Sequence, residues 1–132
     1  MRTFLVDDDF ISVFLTEKLF QREGFGEGLH SFESPEKALD SVLHAISQES
    51  VPDVILLDLN MPVLNGWDFL SALQPYEAQL TGRCFIYILT SSLAPADQVR
   101  SEEFPLVIGF IHKPLDGIQV QAIHAYVAEH QG

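Results

Sequence analysis

Apolar and polar positions along this chain alternate between two rhythms. Four runs are continuously apolar: Phe4-Leu5-Val6, Val54-Ile55-Leu56-Leu57, Phe85 to Leu89 and Val107 to Ile111. Short, unbroken apolar runs of this kind read as strands buried on both faces. The first strand covers residues 2–6, and a weaker strand-like run, Leu29 to Phe32, follows it. Between the strands the spacing turns helical. Ile11, Phe14, Leu15 and Leu19 make a stripe over residues 10–23, which ends near Gly24 and Gly26. Ser34-Pro35-Glu36 opens a second helix with a capping hydroxyl, a proline at the first helical position and an acid for the dipole. Ala38, Leu39, Val42, Leu43 and Ile46 continue it, and Pro52 ends the connection into the third strand. A third helix is expected from about Gly66 to Tyr76 with Trp67, Leu70 and Leu73 inward. A fourth, over roughly 95–103, has few apolar anchors besides Val99 and is expected to be mobile. A fifth, over about 117–129, turns Val120, Ile123 and Val127 inward.

Five strand–helix units with continuous apolar strands predict an α/β fold, a parallel sheet covered by helices on both faces. No linker, repeat or low-complexity tract interrupts the 132 residues, so residues 1–132 are expected to form a single domain without an output module. With 47% hydrophobic residues the chain can bury a real core, which excludes disorder. Nineteen acids against seven bases give a net charge of -12. That balance argues against nucleic acid or an anionic membrane as partner and favours a cation. No apolar run approaches the about 20 residues of a membrane span, and acids arrive too early for a signal peptide. The single cysteine, Cys84, cannot pair internally, and a cytoplasmic setting with Cys84 as a small buried hydrophobe is expected.

Chemistry gathers where the strands end. The first ends in Asp7-Asp8-Asp9, the third in Asp58-Leu59-Asn60-Met61-Pro62, the fourth in Thr90-Ser91-Ser92 and the fifth in His112-Lys113-Pro114. Open α/β sheets place their sites at the carboxyl ends of strands. Asp7, Asp8 and Asp58 converging there would repel one another, which a hard divalent cation resolves. Mg²⁺ suits oxygen ligands and keeps waters, so these carboxylates plus the Asn60 backbone carbonyl suffice. Such a metal can hold one phosphoryl oxygen, Lys113 a second and Thr90 a third, while Asp58 attacks the phosphorus. Asp9 is better read as the cap of the first helix. The five histidines, His30, His44, His112, His124 and His130, show no ligand spacing and read as surface residues. Trp67 either packs beneath its helix or shields the site loop.

These motifs, Val6-Asp7-Asp8-Asp9, Leu57-Asp58-Leu59-Asn60-Met61-Pro62 with Asn65-Gly66, Leu89-Thr90-Ser91 and Lys113-Pro114, resemble the receiver domain of two-component response regulators from Phe4 to about Val127. The resemblance implies a doubly wound, flavodoxin-like five-stranded sheet of order 2-1-3-4-5. It implies Asp58 as phosphoacceptor, Asp8 as direct Mg²⁺ ligand and Asp7 as a ligand through water, with Mn²⁺ able to substitute. Thr90 and Lys113 become switch residues, with a cis peptide before Pro114. Phe110, three residues before the lysine, becomes the aromatic that turns inward, without the hydroxyl a tyrosine would bring. Asn60 and Ser92 become the positions that tune phosphate lifetime. The partners implied are a sensor histidine kinase or histidine phosphotransfer protein, and a downstream protein that reads the face of the fourth helix, fifth strand and fifth helix. A homodimer through that face is a further partner implied. The chain would be a phosphoacceptor switch and not a turnover enzyme. Three other readings compete. An aspartyl-phosphate phosphohydrolase usually carries an aspartate where this chain has Asn60. A flavin binder needs a hydroxyl- and glycine-rich loop where this chain has three acids. A degenerate receiver that only docks partners would not need every site residue.

Overall fold

The computed structural model describes residues 1–92 and 94–131. Its strands are β1 (Thr3–Val6), β2 (Leu29–Phe32), β3 (Val54–Asp58), β4 (Phe85–Thr90) and β5 (Val107–His112). All pair in parallel, in the order β2-β1-β3-β4-β5. The helices are α1 (Phe10–Arg22), α2 (Pro35–Ser47), α3 (Gly66–Leu73), α4 (Pro95–Ser101) and α5 (Gly117–His130). The expected fold class and strand order are therefore present.

The apolar runs form central strands because both of their faces are covered. Ile55, Leu57, Ile86 and Ile88 meet Ala38 and Val42 of α2 and Phe69, Leu70 and Leu73 of α3. Leu5, Leu56 and Leu89 meet Val13 and Phe20 of α1 and Val120, Ile123 and Val127 of α5. Period-two alternation thus sorts one sheet into two cores.

Local chemistry starts the helices as expected. The Asp9 carboxylate accepts from Ile11 N–H and the Ser34 hydroxyl from Lys37 N–H. Asn65 with Asp68, and Asp116 with Gln119, close reciprocal capping boxes on α3 and α5. α3 stops at Leu73 and not at Tyr76. Pro75 has no N–H to continue the ladder, so Gln74–Tyr76 tightens into a 3₁₀ turn before one more helical turn, Glu77–Leu80.

Two expectations are corrected. α1 turns Val13, Thr16 and Phe20 inward, while Ile11, Phe14 and Leu15 are exposed and Leu19 is half-buried. Thr16 tolerates burial because its hydroxyl donates to the Ser12 carbonyl at 2.8 Å. His124 is not a surface residue. Its ring stacks on Phe25 at 3.5 Å, meets Phe20 edge-on and is bonded through Nδ1 to the Val120 carbonyl. The other four histidines are exposed. Cys84 is buried, and burial pushes its thiol up to about 12, so it behaves as a hydrophobe. No described helix is long and apolar enough to cross a membrane.

Candidate functional site

β1, β3, β4 and β5 deliver Asp7, Asp58, Thr90 and Lys113 to one end of the sheet. Asp7 is fully buried and Asp58 is 6% exposed, while Asp8 is exposed. One carboxylate oxygen each from Asp7, Asp8 and Asp58 lie within 4.8 Å of one another. Lys113 Nζ bridges the two buried ones, 2.8 Å from Asp7 Oδ2 and 3.5 Å from Asp58 Oδ2. The Lys113–Pro114 peptide is cis, and Lys113 N–H donates to the Thr90 carbonyl at 2.9 Å.

The remaining oxygens are anchored by backbone. Asp9 N–H donates to Asp7 Oδ1 at 3.0 Å and Asn60 N–H to Asp58 Oδ1 at 3.3 Å. Thr90 is buried and its hydroxyl is engaged by Ser92. It donates to the Ser92 carbonyl at 2.9 Å and accepts from Ser92 N–H at 3.1 Å. The loop after β3 is pressed against the site. A Cβ on Gly66 would lie 2.9 Å from the Asp58 carbonyl oxygen and from Leu59 Cα, so glycine is required there. Val63 in the same loop sits at φ 67, a left-handed conformation that is costly for a β-branched residue, with its side chain in solvent.

The electrostatics separate the two buried acids. Burial pushes Asp58 up; the Lys113 charge opposes this, the Asp7 charge adds to it, and the result is about 6. Burial also pushes Asp7 up. Hydrogen bonds from Lys113 and Asp9 N–H and the Lys113 charge outweigh it and hold Asp7 below the usual carboxylate range. Burial alone would lower Lys113, but its hydrogen bond to Asp7 and the charges of Asp58 and Asp7 raise it. One ammonium therefore serves three crowded carboxylates, and the pocket is short of positive charge. All-oxygen donors around that deficit fit a hard divalent cation.

Most of the expected site residues come together. Asp7, Asp8, Asp58 and Lys113 form the pocket, Asn60 and Ser92 are exposed, and the Thr90 hydroxyl is bonded to Ser92. Phe110 stands apart on β5, half-buried against the core beneath α3. Trp67 packs beneath its helix, stacked on Phe104, and does not shield the loop. The strain at Val63 was not anticipated.

A doubly wound parallel sheet carrying acids, a hydroxyl and a lysine at its carboxyl edge defines a class, the signalling domains on the flavodoxin-like fold. The chain belongs to the response regulator receiver domain family, whose model matches residues 3–125, and so to two-component signalling. It is similar to a two-component response regulator from Cytophaga hutchinsonii, with TM-score 0.87 and 26% identity over 97% of this chain and 96% of that one. It is also similar to a response regulator receiver protein from Dyadobacter fermentans, with TM-score 0.81 and 28% identity over 97% and 98% of the two chains. The receiver domain of the Arabidopsis thaliana histidine kinase CKI1, solved complexed with Mg²⁺, shares the fold at TM-score 0.77 and 20% identity over 95% and 90%. No curated protein matches the chain.

Proposed function

We propose that this domain is a phosphorylation-dependent switch that accepts a phosphoryl group on Asp58 from a phosphohistidine of a sensor kinase or phosphotransfer protein. The observation that carries the reading is the convergence of the buried Asp58 and Asp7 with the exposed Asp8 and the half-buried Lys113 in one pocket. Asp7, Asp8 and Asp58, with the Asn60 carbonyl, would hold Mg²⁺. The metal supplies charge neutralisation for the phosphoryl oxygens when bound. The CKI1 receiver, of the same fold, binds Mg²⁺ in its solved structure, which supports this ligand class.

In the transfer step an Asp58 carboxylate oxygen attacks phosphorus, the donor P–N bond breaks and the departing imidazole takes a proton. Lys113 is shared between Asp7 and Asp58 at 2.8 and 3.5 Å, so a short swing puts it on a phosphoryl oxygen. Thr90 must give up the Ser92 carbonyl to bond another. That rotation leaves room beside β5 for Phe110 to turn inward, by packing alone since it lacks a hydroxyl. The surface of α4, β5 and α5 then changes and a protein partner, or a second copy, reads it. Asn60 and Ser92, both exposed, would tune the lifetime of the phosphoryl group by setting access of hydrolytic water.

The donor is read as a protein because the elements that leave the site carry exposed apolar side chains. Phe10, Ile11, Phe14 and Leu15 of α1 and Val63 after β3 are all exposed. A small-molecule donor needs no such surface.

Beryllofluoride, a phosphoryl mimic, tests the pocket directly. Fluorine NMR of the full chain should show bound resonances that require Mg²⁺ and vanish in Asp58→Asn. Bound resonances that persist in the variant would assign the chemistry elsewhere.

A further inference from the structure

α4 is held differently from every other helix of the sheet. α1, α2, α3 and α5 each bury several residues, whereas none of the seven residues of α4 is buried. Its one strong apolar residue, Val99, faces solvent. Among the described residues the main tie is Arg100, whose guanidinium carbon lies 4.8 Å from the centroid of the Trp67 ring. Trp67 in turn stacks on Phe104, just past α4, at 5.8 Å and 28°. A weak bond from Gln74 Nε2 to the Glu103 carbonyl at 3.5 Å adds little.

The other end of this clamp reaches the site. Trp67 is in the first turn of α3 and follows Gly66, the residue pressed onto the Asp58 carbonyl. Gly66 N–H donates to the Leu59 carbonyl at 3.0 Å, and the Asn65–Asp68 capping box fixes the start of the helix. The Asp58–Leu59 backbone and the indole are thus joined through the contacts of Gly66, and Trp67 is what Arg100 rests on.

We propose that Arg100 is a positioning residue: its clamp on Trp67 holds α4 in the phosphoryl-free arrangement, and occupation of the Asp58 pocket works against that clamp. The proposal rests on the phosphoacceptor reading and adds a second route from the pocket to the readout face, independent of Thr90 and Phe110. Linkage gives it a sign. A contact that favours the resting arrangement weakens, by the same factor, any ligand that prefers the other arrangement. An exposed cation–aromatic contact is worth about two- to five-fold in such an equilibrium.

The test uses the full chain with Mg²⁺ and compares Arg100→Gln with Arg100→Lys. Beryllofluoride affinity is read by fluorine NMR, the clamp by emission of Trp67, the chain's one tryptophan, and α4 by hydrogen exchange without ligand. Arg100→Gln should bind beryllofluoride about two- to five-fold more tightly and exchange faster over 95–103, while Arg100→Lys stays near wild type. A residue that only stabilised the fold would leave affinity unchanged or weaken it. Either of those results, or unchanged exchange over 95–103 in Arg100→Gln, overturns the proposal. Wild type failing to bind beryllofluoride would instead sink the phosphoacceptor reading and the coupling with it.

Discussion

Asp58 carries the tension of the structure. It is a carboxylate held in a buried pocket beside a second, fully buried one, and burial first and Asp7 second push it up to about 6. In unfolded chain it would titrate near 3.8. Between those values the folded protein keeps a proton that the unfolded chain has released, so this group makes stability fall as pH rises from about 4 to 6. Above that window its penalty is complete. Asp7 has the opposite sign: its lowered value favours the fold above the ordinary carboxylate range, and that gain is lost only as pH falls below it. Asp58→Asn should therefore stabilise the metal-free protein at pH 7, by about 1 kcal/mol after allowance for solvent screening. Thermal unfolding in chelator should show that gain shrinking from pH 6 to pH 4; a variant less stable than wild type at pH 7 would contradict it. Val63 stores a separate strain. A left-handed conformation costs an ordinary L-residue roughly 1–2 kcal/mol, and Val63, at φ 67 and 92% exposed, buries nothing in return. Val63→Asn should gain about 1 kcal/mol by thermal unfolding, and a lower melting temperature would show that the loop is relaxed.

Elements differ in how firmly they are held, and that difference was only partly legible. The weak apolar content of 95–103 marked α4 as loosely attached, and its seven residues are all unburied. α3, by contrast, buries Trp67, Phe69, Leu70 and Leu73 and is fixed by a capping box. Hydrogen exchange should therefore be fast across α4 and slow across α3, and uniformly strong protection over both would count against this picture. α1 shows where pattern reading fails. It carries apolar residues around most of its circumference, so the stripe at Ile11, Phe14, Leu15 and Leu19 and the inward set at Val13, Thr16 and Phe20 fit a helical period equally well. The deciding residue was a threonine, whose hydroxyl is satisfied inside its own helix, and hydrophobicity alone cannot see that. His124 escaped for a related reason: its partners Phe20 and Phe25 lie a hundred residues away in sequence. Capping residues, in contrast, act locally, and Asp9 and Ser34 do what their positions announce.

At the scale of the whole molecule the site was legible because it is a consequence of topology. Parallel strands put every carboxyl end on the same edge, so four motifs far apart in sequence had to meet once the strands were recognised. What the sequence could not supply was the state of the pocket: which acid Lys113 engages more closely, that Thr90 is turned toward Ser92, and that the 59–66 loop is wedged against Asp58. These depend on ångström distances, not on residue types. The net charge of -12 leaves the half-buried Lys113 ammonium among an excess of acids, which makes a cation and a phosphoryl group with its metal a natural way to satisfy the pocket. Asp58 should accept a phosphoryl group in this pocket from acetyl phosphate or phosphoramidate, and intact mass after treatment reads the transfer. A gain of one phosphoryl group that requires Mg²⁺ and is lost in Asp58→Asn is the predicted result. No gain under any donor, or a gain that survives the substitution, would contradict it.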